Sequence, residues 1–361
     1  MPEYPQMLSE FFFGKGRRSN VLMNMADNGL LPDRLIRYGI RRLDKKRLCS
    51  EDFANEEERQ QALSRFVHKM RQSAIAVQPQ MPNQQHYEVP SAFFQQVLGN
   101  HLKYSGCYWP AGVKDLDQAE AQMLKLTCQR AGLADGLRIL ELGCGWGSLS
   151  LWMAERYLNS QIVAVTNSES QREFILSRMA ERNLKNLLVT KADMNNFSID
   201  QQFDRVVSVE MFEHMRNWPL LLKRISVWLK PDGALFIHIF SHKRFAYTFD
   251  TMDDDDWMGR YFFSGGMMPS DDLLLHLQDH LVVEKHWRIN GIHYSKTAAA
   301  WLANLDHHRK AIMPVMKEVY GSKEAGRWFQ RWRIFFMACE ELWGYRNGTE
   351  WMVSHYLLRK K

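Results

Sequence analysis

The segment Val209-Glu210-Met211-Phe212-Glu213-His214-Met215 sets two carboxylates and an imidazole among otherwise apolar residues, directly after the strand-like run 206–209. A carboxylate beside an imidazole can attract a cation and then accept or relay its proton. Two neighbouring carboxylates also raise each other's pKa, which moves one of them toward a value useful near neutral pH. On this reading Glu213 and His214 share the role of base, and Glu210 orients the acceptor or the imidazole. The plainer alternative is a loop in which Glu213 caps the next helix and His214 is inert.

A second group lies in Ile139-Leu140-Glu141-Leu142-Gly143-Cys144-Gly145-Trp146-Gly147-Ser148. Here a strand closes on an acid, and three alternate glycines precede a helix. Glycines let the backbone turn tightly and approach a ligand where a Cβ would collide. Dinucleotide-binding folds place G-x-G-x-x-G at this point. The spacing G-x-G-x-G, with Glu141 ahead of Gly143 and Gly145, resembles class I S-adenosylmethionine methyltransferases instead. The next strand ends in Thr166 and Asn167, with Gln171 soon after, where a NAD site usually carries an acid. The strand after that ends in Asp193 and Met194, an acid for an adenine amino group and a thioether for the ring face. A dehydrogenase or a degenerate Rossmann domain is the alternative.

To bring these groups together the chain must present strand ends side by side. From about residue 115, helical stretches alternate with the strand-like runs RILELG, QIVAVTN, NLLVTKAD, FDRVVSVE and GALFIHIF. That rhythm predicts an α/β, Rossmann-like fold with a mostly parallel seven-stranded sheet. Two later runs, 281–289 and 351–360, supply further strands, and inserts at about 243–280 and 291–349 are expected as helical caps over the carboxyl edge of the sheet. Residues 1–114 read as a helical region, broken at Gly14-Lys15-Gly16 and at Gly29 to Pro32 and followed by the polar stretch 78–85. A cofactor-covering segment is expected at 86–110, and residues 115–361 form the methyltransferase domain. Aromatic residues crowd the inserts, and Trp257, Tyr261 and Phe262 are candidates for lining an acceptor pocket. Most such clusters are simply core. The acidic run Asp253 to Asp256 is expected as a solvated loop, with attraction of a cationic amine as the sharper reading.

The 361 residues have an ordinary globular composition and a net charge of +6. Residues 34–48 hold seven basic side chains against one Asp, so the rest of the chain sums to zero. A basic stretch with Ile36, Ile40 and Leu43 on one face could rest on an anionic membrane surface. The alternative is a helix docked by its apolar side. The neutral remainder, without a reader motif, argues against nucleic acid as a partner. No apolar run reaches the length of a membrane span. Five scattered cysteines without a C-x-x-C pair predict reduced thiols in the cytoplasm and no metal site. A homodimer is left open.

The segments LKYSGCYW, LELGCGWGSLSLW, AVTNSESQREFI, SVEMFEHM, INGIHYSKT and FFMAC resemble the cyclopropane-fatty-acid synthase superfamily. Within it the likeness is greatest to coclaurine-type N-methyltransferases, and runs from GLLPDRLI to GYRNGTEWMVSHYLLRKK. The resemblance implies S-adenosylmethionine as cofactor and a small-molecule amine as substrate, with a lipid alkene as the alternative acceptor. It places Tyr104 and Ser105 at the methionine end of the cofactor and adds Val209 to its contacts. It also implies that Glu213, His238 and Tyr294 match three contacts of the bicarbonate base of cyclopropane synthases, and Cys339 a Cys on a late helix. The Cys that holds bicarbonate in those synthases is Gly106 here, with Cys107 one place along, so bicarbonate is doubtful. Glu210 stands where the synthases carry a glycine.

Overall fold

The computed structural model describes residues 17–77, 89–249, 257–263 and 265–361. The first glycine break, the polar stretch 78–85 and the acidic run at 253–256 lie outside the described residues.

Strand β1 (Arg138–Leu142) explains why the middle of the chain forms a two-sided sheet. Leu140 and Leu142 enter the apolar layer on one face and Ile139 the layer on the other, all fully buried. Strands covered on both faces need consecutive apolar residues. The same division recurs on β2 (Gln161–Thr166), where Val163 and Val165 oppose Ile162 and Ala164. β3 (Leu187–Lys191), β4 (Phe203–Val209) and β5 (Leu229–His242) extend the parallel sheet, while β8 (Leu281–Asn290) and β9 (Trp351–Lys360) complete it. The order is β3-β2-β1-β4-β5-β9-β8, with β9 antiparallel to both neighbours. The seven-stranded, mostly parallel Rossmann-like sheet read from the sequence is therefore the observed one.

Helices cover both faces. α5 (Leu116–Ala131) starts where Asp115 accepts a hydrogen bond from the Gln118 amide and stops at Gly132, whose left-handed φ of 62° ends the helix. α6 (Ser148–Arg156), α7 (Glu169–Glu181) and α8 (Trp218–Trp228) follow their strands in turn.

A third apolar layer lies in the cap. It joins α1 (Arg17–Asp27), α2 (Asp33–Glu51), α4 (Ser91–Val97), α10 (Ile292–His307) and α11 (Arg309–Gly344) around Phe93, Trp301, Trp332 and Phe336. α11 is kinked at Gly321, which has φ 76°. α3 (Glu56–Gln72) leaves this group and packs Leu63 and Met70 into the layer beneath the sheet. The insert at 243–280 is less helical than expected. Its described part holds the two-stranded β6 (Tyr247–Thr248) and β7 (Met267–Met268) and one five-residue helix, α9 (Trp257–Tyr261). Gly265, Gly266 and Pro269 disfavour any longer helix there.

The basic stretch 34–48 does not serve a membrane surface. It lies within α2, whose Ile36 and Ile40 are buried against the protein's own core. Arg37 binds Glu340 and Glu341 of α11 at 2.7 and 2.8 Å, and Arg41 binds Glu341 at 2.8 Å. The apolar face and these cations are already engaged by the chain itself. Among the described residues, no helix is long and apolar enough to cross a membrane.

Candidate active site

The ends of β1, β2, β3 and β4 open into one cleft. Its lining contains all eleven residues expected at the cofactor, namely Tyr104, Ser105, Glu141, Gly143, Gly145, Thr166, Asn167, Gln171, Asp193, Met194 and Val209. The glycine loop is tied to β2, because the amides of Gly143 and Cys144 donate to the Val165 carbonyl at 3.0 and 2.9 Å. Gly143 is required twice over. Its φ is 80°, and a Cβ there would stand 2.6 Å from Met211 Cγ. Glu141 accepts from the Ser150 hydroxyl, and burial pushes its pKa up to about 7. Thr166 Oγ1 donates to Gln171 Oε1 at 2.6 Å. Neutral hydroxyl and amide groups thus stand at the end of β2, and the Met194 thioether at the end of β3. This donor set fits an uncharged ribose and an adenine ring with a sulfonium beyond them.

The sequence reading missed part of the cleft wall. Ala76 and Val77 line it, and Asn195 grips Ala76 on both sides, accepting from its amide at 3.0 Å and donating to its carbonyl at 3.1 Å. Lys103 was also missed. It is buried, and its ammonium donates to Ser105 Oγ at 2.5 Å and to the Gly106 carbonyl at 2.8 Å. An isolated lysine in a polar segment carries no short-range signal, although its place before Tyr104-Ser105 is a clue.

At the inner end of the cleft Glu210 is the centre. Its φ of 47° is in the left-handed region, an unusual conformation for a residue with a side chain. The backbone is held there by its amide, which donates to the His238 carbonyl at 2.8 Å. Three groups converge on the carboxylate. The Gly106 amide donates to Oε1 at 2.9 Å, His238 Nε2 lies 3.0 Å from the same oxygen, and the Tyr294 hydroxyl donates to Oε2 at 2.7 Å. The Tyr294 ring stacks on Trp343 at 4.7 Å and covers Gly106, where a Cβ would lie only 3.0 Å from the ring. Glycine at 106 therefore matches the close approach of that ring.

Glu213 is differently placed. It is fully buried, accepts from the Phe240 amide at 2.7 Å with one oxygen and leaves the other unpartnered. Burial, and then the charge of Glu210, push its pKa well up. Burial also raises Glu210, but Lys103, the Gly106 amide and Tyr294 oppose the rise. Glu210 thus has three donors to support a negative charge and Glu213 has one. His214 lines the cleft beside Glu210, and its ring stands 4.7 Å from Phe263. Burial pushes its pKa down to about 4, so it is a neutral imidazole at pH 7. Glu213 is absent from the cleft lining, so the structure does not bring it together with His214 as a pair facing the acceptor. Cys339 on α11 is close enough to Glu210 for its charge, together with burial, to push the thiol up. The Cys107 thiol donates to the Ser105 carbonyl and is also pushed up by burial.

Trp257, Tyr261 and Phe262 do not line the cleft. Trp257 Nε1 donates to Asp27 at 3.0 Å, and Arg331 donates to the same carboxylate at 2.9 Å while lying 4.0 Å over the Tyr261 ring. Phe262 stacks on Phe335 at 4.5 Å. Their faces and polar atoms are engaged within the cap.

A bicarbonate ion does not fit this site. His238 and Tyr294, two of the three contacts that the resemblance implies for it, are engaged by the Glu210 carboxylate, as is the Gly106 amide. The protein's own carboxylate stands in the ring of donors. Among the described residues no group of three or more His, Cys, Asp or Glu is arranged to hold a metal ion.

Comparison with known proteins agrees with this geometry. Residues 76–349 match the family model described as mycolic acid cyclopropane synthetase. The chain is 40% identical to (S)-coclaurine N-methyltransferase of Thalictrum flavum subsp. glaucum over 94% of this chain and 95% of that one. Its structure is similar to that of a coclaurine N-methyltransferase bound to N-methylheliamine and SAH, with a TM-score of 0.92, 38% identity, and coverage of 95% of this chain and 100% of that one. Similarity to the cyclopropane-fatty-acyl-phospholipid synthase of Escherichia coli K12 is lower, at 29% over 74% of this chain and 66% of that one.

Proposed function

The chain belongs to the coclaurine-type N-methyltransferases within the mycolic acid cyclopropane synthetase family, and from that premise we propose how its residues serve methyl transfer to a tetrahydroisoquinoline-like amine. It is an S-adenosylmethionine-dependent N-methyltransferase of small aromatic amines. When bound, the cofactor supplies an electrophilic methyl on a sulfonium centre. The protein must then present an uncharged nitrogen in line with that methyl. An aliphatic amine is protonated at neutral pH, with a pKa near ~10.4 for a lysine-like group, and its lone pair is unavailable until the proton leaves.

Glu210 meets the first need. Its anionic carboxylate, oriented by Gly106, His238 and Tyr294, attracts the ammonium and fixes the direction of the N–H bond. The same carboxylate, whose basicity burial raises, takes up the proton, and His214, neutral and lining the same cleft, accepts a hydrogen bond from the N–H. Glu213, buried and bonded to the Phe240 amide, supports the loop that carries both. Glu141, Gly143, Gly145, Thr166, Asn167, Gln171, Asp193, Met194 and Val209 hold the cofactor, with Tyr104 and Ser105 at its methionine end. The carboxylate of Glu210 within its ring of donors is the observation that carries this reading. An alkene has no proton to lose before attack and presents no cation to a carboxylate. The five cysteines are unpaired, which supports a reducing compartment, and we assign the enzyme to the cytoplasm.

A labelled-methyl transfer assay tests the substrate class. The protein is offered secondary and tertiary tetrahydroisoquinolines alongside unsaturated phospholipid vesicles, without added bicarbonate. Label is expected in the amines. Label in lipid alone overturns the reading.

A further inference from the structure

The Glu210 carboxylate is also reached by residues that do not line the cleft. His238 on β5 and His355 on β9 are register partners and both are fully buried. His355 Nε2 lies 3.0 Å from His238 Nδ1, and His238 Nε2 lies 3.0 Å from Glu210 Oε1. At the other end Arg130, in the last turn of α5, places Nη1 3.0 Å from His355 Nδ1. The guanidinium also lies 5.0 Å over the Trp287 ring of β8, which fixes its position.

The protons of this chain are determined by its end. A guanidinium only donates. His355 Nδ1 must therefore accept, which leaves the proton of a neutral His355 on Nε2. That proton is donated to His238 Nδ1, so a neutral His238 carries its own on Nε2 and donates it to Glu210. Both imidazoles are kept neutral by burial first and then by neighbouring positive charge. Every bond points the same way, from a fixed cation near the solvent to the carboxylate. Aligned donors of this kind polarise one another in a low-dielectric interior.

We infer that Arg130 and His355 are positioning residues for methyl transfer, which act through His238 to hold Glu210 oriented and ionised. This rests on the assignment of Glu210 given above. The chain is not a path for protons to leave, because arginine cannot accept one. It is a means of delivering a distant positive charge as a directed hydrogen bond. The other charged or titratable groups that face Glu210 are Lys103, Cys107, His214, Glu213, Tyr294 and Cys339; Lys103 also faces His238 and His355, and Arg130 also faces Tyr108. None of these lies in the line from Arg130 to Glu210, so the contribution of the chain can be removed separately.

The test compares His355→Leu, His355→Gln and Arg130→Met by the pH dependence of kcat/KM. A glutamine amide sets an acceptor oxygen and a donor nitrogen across one carbon, as the imidazole sets its two nitrogens, and can preserve the direction of the chain. His355→Leu and Arg130→Met are expected to lower kcat about tenfold, the loss of one charge-assisted hydrogen bond. They should also move the acid limb upward by about one pH unit, because Glu210 then takes up a proton more easily. His355→Gln should stay near wild type in both respects, and cofactor affinity should be unchanged in all three. An acid limb that does not move in His355→Leu and Arg130→Met overturns the inference, as does a His355→Gln that behaves like His355→Leu. If His355→Leu does not fold, half-exposed Arg130→Met alone decides. The Glu210→Gln variant separates the two readings: an impaired Glu210→Gln with inert Arg130 and His355 variants defeats only this inference. A fully active Glu210→Gln defeats the assignment of Glu210 itself.

Discussion

The cleft and the cap differ in how far along the chain their polar groups reach for partners. Around the cleft, Thr166 binds Gln171, Glu141 binds Ser150 and Asp193 binds Asn195, all within ten residues. In the cap, Asp27 binds Arg331 and Trp257, Asp33 binds Arg333 and Arg37 binds Glu340, each across more than 200 residues. Apart from Asn195, which reaches Ala76 across 119 residues, the cleft is a set of strand-end turns that the sheet brings side by side. The cap is a set of mutual dependencies that exist only once the chain has folded. Glu210 belongs to both, since it ends β4 and yet takes its partners from Gly106, His238 and Tyr294.

The contrast predicts different kinds of damage. The largest effect is expected at the residue where the regions meet. Glu210→Gln should lower kcat by about 10² to 10⁴-fold, the range for loss of a positioned acid–base group, with cofactor affinity nearly unchanged. Single-turnover kinetics beside a cofactor titration would measure it. A matching loss of cofactor affinity would place Glu210 with the cleft alone. Next, Arg331→Met leaves Asp27 buried without its cation and should cost about 3–5 kcal/mol of stability. Denaturant unfolding is the measurement, and cofactor affinity in the folded fraction should be unaltered. The smallest effect belongs to Thr166→Val. Loss of its hydrogen bond to Gln171 should weaken cofactor binding by about 1 kcal/mol and leave the unfolding midpoint nearly fixed, as calorimetry can establish. A Thr166→Val that destabilises the fold more than Arg331→Met would break the comparison.

The same difference in range governs what the sequence made legible. Glycines at 143, 145 and 147 after a strand, or Asp193-Met194 at the end of another, keep their meaning within ten residues, so both they and the parallel sheet could be read. Even β9 was read to its bounds at 351–360, because a strand buried along Trp351 to Leu358 shows as a short run of large apolar residues. Trp257, Tyr261 and Phe262 have partners that could not be read, for the opposite reason. Nothing near them indicates that Asp27, Arg331 and Phe335 engage them. The basic stretch 34–48 failed likewise, since Glu340 and Glu341 stand some 300 residues away. Glu213 and His214 look like a pair in sequence. The turn at Phe212–His214 instead sends one carboxylate under Phe240 and the imidazole into the cleft.

β9 lies between β5 and β8 and is antiparallel to both. Both neighbours precede it in the chain, so during synthesis β5 waits as an open edge and β8 has no place in the sheet until residues 351–360 arrive. Closing so long a loop is slow, and an unpaired edge invites pairing with another chain. Because His355 sits on this last strand, the site and the sheet become complete in one late event. A nascent chain stopped short of β9 would therefore be inactive and prone to aggregate together, with no active intermediate between.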